Sequence, residues 1–157
     1  AIKASLNGDA AIRVQDGKIE GVDLRKIVNE TRALADQLRG KPARVTPQSS
    51  DQTEFNQLTA TLQVANGVAS NNDLLLDGPY LHATGKGTAD LGRERLDYTL
   101  KVTLAEDPAK KAVTAPLRVT GPFSALAYEV DWGDVLKEQA EKQLEKQLEK
   151  GLRKLIK

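Results

Sequence analysis

Apolar and polar residues alternate along most of this chain, and the alternation has period two. Ile2, Ala4, Leu6, Gly8, Ala10, Ile12 and Val14 share one parity, with mostly polar residues between them. Successive side chains of a strand point to opposite faces, so the pattern predicts one long strand with a single buried face. A turn at Asn7-Gly8 would mix the two faces. Asp16-Gly17 is the better turn, because a tight hairpin there sets Val14 and Ile19 on the same face. Residues 1–22 therefore read as strands.

The period then changes to that of a helix. Asp23 is a suitable cap, Leu24, Ile27, Val28, Leu34 and Leu38 form a stripe, and Gly40 stands where the helix should stop. This predicts a helix over 23–39. Residues 40–54 are polar, with two prolines and two serines, and read as a flexible loop.

From residue 55 to 131 period two returns, as an antiparallel meander. Leu58, Ala60, Leu62 and Val64 alternate up to a turn at Asn66-Gly67. A three-residue loop there opposes Val64 with Val68 and Leu58 with Leu74. Leu74 and Leu76 continue the apolar face as far as Asp77-Gly78-Pro79. The next strand has Leu81, Ala83, Gly85, Gly87, Ala89 and Leu91 on one face, and His82, Thr84, Lys86, Thr88 and Asp90 on the other. Its neighbour carries Leu96, Tyr98, Leu100, Val102 and Leu104 inward. If Leu91 opposes Leu96, then Gly87 opposes Leu100 and Gly85 opposes Val102, large residues beside small ones. Two shorter strands follow, with Val113, Ala115, Leu117 and Val119, then Leu126, Tyr128 and Val130, separated by Gly121-Pro122.

Residues 133–157 repeat every four positions, EKQL, EKQL, EKGL, and read as an amphipathic helix. Leu136, Ala140, Leu144, Leu148 and Leu152 form its drifting stripe. Lys150, Arg153, Lys154 and Lys157 suit the negative end of the helix dipole. Three uses of this helix stay open. It can lie as a lid on the sheet, pair with a partner helix, or sit on a membrane surface with Leu152, Leu155 and Ile156 inward.

The fold class is thus mostly β with some α. It is a single domain built as a curled antiparallel meander of about seven or eight strands, with one inserted and one C-terminal helix. Every strand has one apolar face, and two helices do not cover a sheet of that length. What they leave is an open groove.

Composition narrows the chemistry. Of 157 residues, 29% are charged, yet the net charge is +1, which gives no footprint for nucleic acid. No apolar run reaches the roughly 18 to 20 residues of a membrane span. Without cysteine there is no thiolate metal site. The chain opens directly in strand-like sequence without an initiator methionine, and so reads as a fragment of something longer.

Candidate chemistry is sparse. Gly85-Lys86-Gly87-Thr88 invites a phosphate-loop reading, but a strand follows where a helix N-terminus would be needed. His82, the only histidine, alternates with Thr84 and Lys86 on the polar face and reads as a solvated residue. Glu94 and Asp97 lie among Arg93 and Arg95, as on a hairpin rim. No catalytic constellation, cofactor or metal site emerges, and the expectation is a protein that is not an enzyme.

Several stretches together resemble a known family. VANGVASNNDLLL, GKGTADL, LDYTLKVTL and PLRVTGPFSALAYEVDW, in that order and preceded by VQDGKIEGVDLRKIV, resemble the C-terminal region of AsmA family proteins of Gram-negative bacteria. The resemblance spans nearly the whole chain; loop 39–53 and helix 134–157 depart most. It implies a periplasmic portion of an inner-membrane-anchored protein, with a greasy β-groove that carries phospholipid toward the outer membrane and supports its assembly. The groove lining would then be Leu58, Leu62, Val64, Leu74, Leu76, Ala83, Gly85, Gly87, Leu96, Tyr98, Leu100, Val102, Leu104, Leu117 and Val119. A membrane- or partner-facing helix would use Leu144, Leu148, Leu152, Leu155, Lys150, Arg153 and Lys154. The alternative is a structural or docking module that binds an outer-membrane or envelope protein through its terminal helix.

Overall fold

A computed structural model describes residues 6–39, 41–105 and 112–155 of the chain, without the side chains of Asp36, residues 134–140, Lys154 and Leu155. Ile2, Ala4, Gly40, Ile156 and Lys157 lie outside the described residues. Within them the elements run β1 (Gly8–Glu20), α1 (Leu24–Leu38), β2 (Ala43–Val45), β3 (Gln52–Ala65), β4 (Val68–Asp77), β5 (Leu81–Asp90), β6 (Arg95–Leu104), β7 (Val113–Pro122), β8 (Ala127–Val130) and α2 (Trp132–Leu155). All eight strands form one antiparallel sheet in the order β1-β3-β4-β5-β6-β7-β8-β2.

The mostly-β, antiparallel architecture is as the alternation predicts, but the N-terminal hairpin is not. β1 runs unbroken through Asp16-Gly17 and pairs with β3 from Gly8 opposite Val64 to Glu20 opposite Gln52. Asp16 has φ 52°, and that left-handed residue inside the strand switches which parity faces inward. Val14 and Ile19 do share a face, because a kink brings them there in place of a turn. The Phe55 ring lies across Gly17, where a Cβ would come within 2.7 Å of its Cζ.

Helix α1 starts as expected. The Asp23 carboxylate accepts from the Lys26 N–H at 3.1 Å, and the Leu24 N–H donates to Thr53 Oγ1 at 3.0 Å. Its buried face is Leu24, Ile27, Val28, Thr31 and Ala35, with Leu38 half-buried; Leu34 is exposed, and Ala35 takes its place on the inner face. Arg39 adopts the left-handed cap conformation.

The predicted loop 40–54 contains structure. Ala43–Val45 form β2, which pairs with β8 at the far edge, and β3 already begins at Gln52. Helix α1 therefore leaves one edge of the sheet and ends near the other, crossing the inner face on the way. Gly21, beyond β1, lines one concavity of about 450 Å³ with Arg44–Pro47 and the β7–β8 turn. The two edges thus approach each other at this end without hydrogen-bonding into a barrel, and the sheet is curled.

Two registers also differ. The β3–β4 turn uses only Asn66 and Gly67, both left-handed, so Ala65 opposes Val68. A bulge at Asn72-Asp73 then adds one residue to β4 relative to both neighbours, and Leu58 comes to oppose Leu76. Between β5 and β6 a four-residue loop, Leu91–Glu94, replaces the tighter turn. Gly87 therefore opposes Tyr98, and Gly85 opposes Leu100.

Candidate functional site

The inner face of the sheet is divided lengthwise into a sealed half and an open half. At one end α1 and Trp132 close over Leu76, Leu81, Ala83, Val102, Leu104, Ala115, Leu117, Val119 and Val130, the continuous buried core. At the other end the large apolar side chains are less covered. There Leu62, Val64, Leu74, Leu96, Tyr98 and Leu100 are half-buried, and on β1 Ile12 and Val14 remain 41% and 38% exposed.

This division sorts the expected groove residues. Leu76, Ala83, Val102, Leu104, Leu117 and Val119 lie beneath the helix, and Val102 has no exposed surface. Leu58, Leu96 and Leu100 are half-buried and pack against the edge of that core. Leu62, Val64, Leu74, Gly85, Gly87 and Tyr98 line the less covered half, which Leu96 and Leu100 join to the core. Ile12 and Val14 belong with them and were absent from the expected lining. Their signal was present, since β1 alternation matches that of β3, but the supposed hairpin hid their position.

The glycines of β5 serve the sheet itself. A Cβ on Gly85 would sit 2.6 Å from Tyr98 Cε1 and 2.7 Å from Leu100 Cδ2. On Gly87 it would meet the Asp97 carbonyl oxygen at 2.3 Å. Their space is filled by Tyr98, Leu100 and the β6 backbone, not by a helix, and no phosphate-loop geometry is present.

One polar cluster interrupts the open half. The β4 bulge turns Asn71 inward, where it is buried, and the Tyr98 hydroxyl donates to its Oδ1. Asn71 Nδ2 donates to the Thr61 carbonyl and to Asp73 Oδ1, each at 2.9 Å. Asp73 also accepts from the Thr61 N–H at 2.8 Å and from the Thr61 hydroxyl at 2.5 Å. Those Thr61 hydrogen bonds hold the Asp73 carboxyl below its ordinary range. Burial, and then the charge of Asp73, push the Tyr98 phenol up to about 12.

The outer face is polar. His82 Nδ1 contacts Asp77 Oδ1 at 2.5 Å and is exposed, while Arg118 pairs with Asp97 at 3.4 Å. A concavity of about 460 Å³ lies on this side around Leu75, Thr84, Lys86, Thr99 and Lys101. Among the described residues no group of three or more His, Asp or Glu is placed to hold a metal ion.

Among the described side chains of α2, Trp132 is the one anchored in the core. Trp132 is buried, and its Nε1–H donates to Thr31 Oγ1 at 2.7 Å, which in turn donates to the Ile27 carbonyl at 2.7 Å. Residues 141–153 are exposed, with Leu144, Leu148 and Leu152 at 58–59%. Over residues 141–153 the lid reading is therefore corrected: Leu144, Leu148 and Leu152 are exposed and do not lie on the sheet. Lys150 and Arg153 share that exposure, while the Lys154 and Leu155 side chains lie outside the described ones. No helix among the described residues is long and apolar enough to cross a membrane.

The chain is 22% identical over 149 residues to "Protein AsmA" of Escherichia coli (strain K12). It resembles AsmA. The match covers 90% of this chain but 24% of AsmA, so the chain spans about a quarter of that relative's length. No family model matches the chain, and no solved structure matches it significantly. The similarity to AsmA runs through both the sealed and the open half of the sheet.

Proposed function

We infer that this chain is a lipid-transfer module of an AsmA-like envelope protein, and that the uncovered half of its inner face holds phospholipid acyl chains. The observation that carries this reading is the strip of half-buried inward apolar side chains outside the fully buried core, Leu62, Val64, Leu74, Leu96 and Leu100, continued by Ile12 and Val14. Each methylene buried there contributes about 0.8 kcal/mol, so a long chain is held without specific polar contacts. Head groups stay in water at the rim. No covalent chemistry is involved. On this reading the protein works in the periplasm as part of an inner-membrane-anchored assembly, and moves phospholipid toward the outer membrane.

Organic extraction of the purified protein followed by lipid mass spectrometry tests this. Co-purified phospholipid, reduced by Leu62→Asp or Leu100→Asp, supports the reading. Protein that carries no lipid and takes none up from vesicles contradicts it.

A second reading draws on a different observation, the exposed leucines of α2. There the sheet is a scaffold, and α2 docks onto an envelope protein or a membrane surface through Leu144, Leu148 and Leu152. A partner lost on substitution of these leucines, with no lipid bound to the groove, favours it.

A further inference from the structure

The hydrogen bonds around Asn71 run in one direction, and each link fixes the next. The Asp73 carboxylate and the Thr61 carbonyl can only accept, and Asn71 Nδ2 donates to each at 2.9 Å. That orients the amide and turns its Oδ1 toward Tyr98. An amide oxygen has no proton to give, so the Tyr98 hydroxyl supplies the one between them. Burial, and then the charge of Asp73, push the phenol up to about 12, so the proton stays in place at neutral pH. What remains on the Tyr98 oxygen is lone-pair capacity. Among the described residues no N–H or O–H donates to it.

The sheet sets where that oxygen stands. Tyr98 belongs to a row of inward positions, Asn71, Gly87, Tyr98 and Val119, that crosses β4 to β7. A Cβ on Gly87 would lie 2.7 Å from Tyr98 Cδ2, so only glycine lets the ring lie over β5 and reach the amide. The next row toward the loops is Val64, Ala69, Ala89 and Leu96, and the next toward the core is Leu74, Gly85 and Leu100. The half-buried phenol is thus one row inside the loop end of the groove, about 7 Å along the strands.

We propose that the Tyr98 oxygen selects the lipid head group, favouring one that carries a primary ammonium over one that is fully methylated. The proposal rests on the acyl-chain reading and adds selectivity to a grip made by apolar contact. A head group at the rim lies within one row of the phenol. The oxygen cannot serve the phosphate and ester oxygens that every phospholipid carries. They are acceptors, and turning the phenol proton toward them leaves Asn71 Oδ1 buried without a donor. The charge of Asp73 is felt at the phenol, which favours a cationic donor over a neutral one. A choline head group has the same positive charge but no N–H to offer.

Uptake from mixed vesicles tests this, read by mass spectrometry of the re-isolated protein, with circular dichroism to confirm folding. The vesicles hold equal amounts of phosphatidylethanolamine, its N,N-dimethyl form and phosphatidylcholine, all with the same acyl chains. Charge is then constant while N–H donors are removed stepwise. The wild type takes up the ethanolamine lipid over the choline lipid by about fivefold, with the dimethyl lipid between them. Tyr98→Phe takes up all three equally and still loads the choline lipid. Thr61→Val disturbs Asp73 but spares the bond between Asn71 and Tyr98, and it keeps the preference, as a merely structural role for the network would not predict. Equal uptake of the three lipids by the wild type overturns the proposal and leaves the acyl-chain reading standing. A preference that survives in Tyr98→Phe overturns it too, because selection then lies elsewhere. Uptake of no lipid at all overturns both.

Discussion

The Tyr98 hydroxyl donates to the Asn71 side-chain carbonyl across β5, joining a half-buried phenol on β6 to a buried amide at the β4 bulge. The bond ties the Tyr98 hydroxyl to the amide that the β4 bulge turns inward. Tyr98→Phe removes the donor and leaves Asn71 Oδ1 buried without it, at a cost of about 1–2 kcal/mol in urea unfolding. In an alkaline absorbance titration the Tyr98 phenolate forms only near pH 12, and this late step is missing in Tyr98→Phe. A raised phenol pKa contributes stability that is complete below about pH 10 and is lost as pH rises toward the folded value.

Asp73 gives the opposite dependence. Its carboxyl is held low by Thr61, so its contribution is present above the ordinary value of about 3.9 and is lost as pH falls through the folded pKa. Asp73→Asn is therefore less stable than wild type at pH 7, and the gap closes in strongly acidic solution. Paired urea titrations at neutral and acid pH read this directly.

The glycines separate by surroundings. Gly87→Ala drives a Cβ against the Asp97 carbonyl, which is backbone and cannot move aside; thermal unfolding should show a loss of about 2 kcal/mol or more. Gly151 lies in exposed helix with nothing within 4 Å of an added Cβ. Gly151→Ala should raise the helical signal and stabilise α2 by about 0.5–1 kcal/mol.

Thr31 links the two helices. Thr31→Val leaves the Trp132 indole N–H buried without an acceptor, at a cost of about 1–3 kcal/mol, and loosens the start of α2. Faster hydrogen exchange at Trp132 and Gly133, with the β5–β6 amides unchanged, is the expected result. Changing Leu144, Leu148 and Leu152 together to Gln leaves the melting temperature within about 2 °C, because these side chains are already solvated.

Much of this fold is legible in period two. The strands from Phe55 to Val130 and the inward parity of Leu96 to Leu104 follow from side-chain alternation, and the Asp23 cap from its residue type ahead of a helical stripe. What alternation cannot show is how the chain repairs a change of parity. Between Val14 and Ile19 the same signal fits a hairpin or a left-handed kink, and the unbroken pairing with β3 decides for the kink. In Asn71-Asn72-Asp73-Leu74 the inward parity passes from odd to even, a bulge written in the sequence yet readable only beside a known register. β2 is too short to carry a pattern. For the site, apolar alternation identified the inner face but not which half α1 seals, since that depends on where the helix crosses. Leu100 and Val102 look equivalent in sequence, yet one is half-open and the other fully covered.

A photo-crosslinking side chain placed in turn at Leu100 and Lys101, in protein assembled in the cell envelope, tests the central claim most directly. Leu100 faces the open groove and Lys101 the polar outer face. The account predicts a phospholipid adduct at Leu100 and none at Lys101. Equal capture at both positions, or only protein adducts at Leu100, would contradict it.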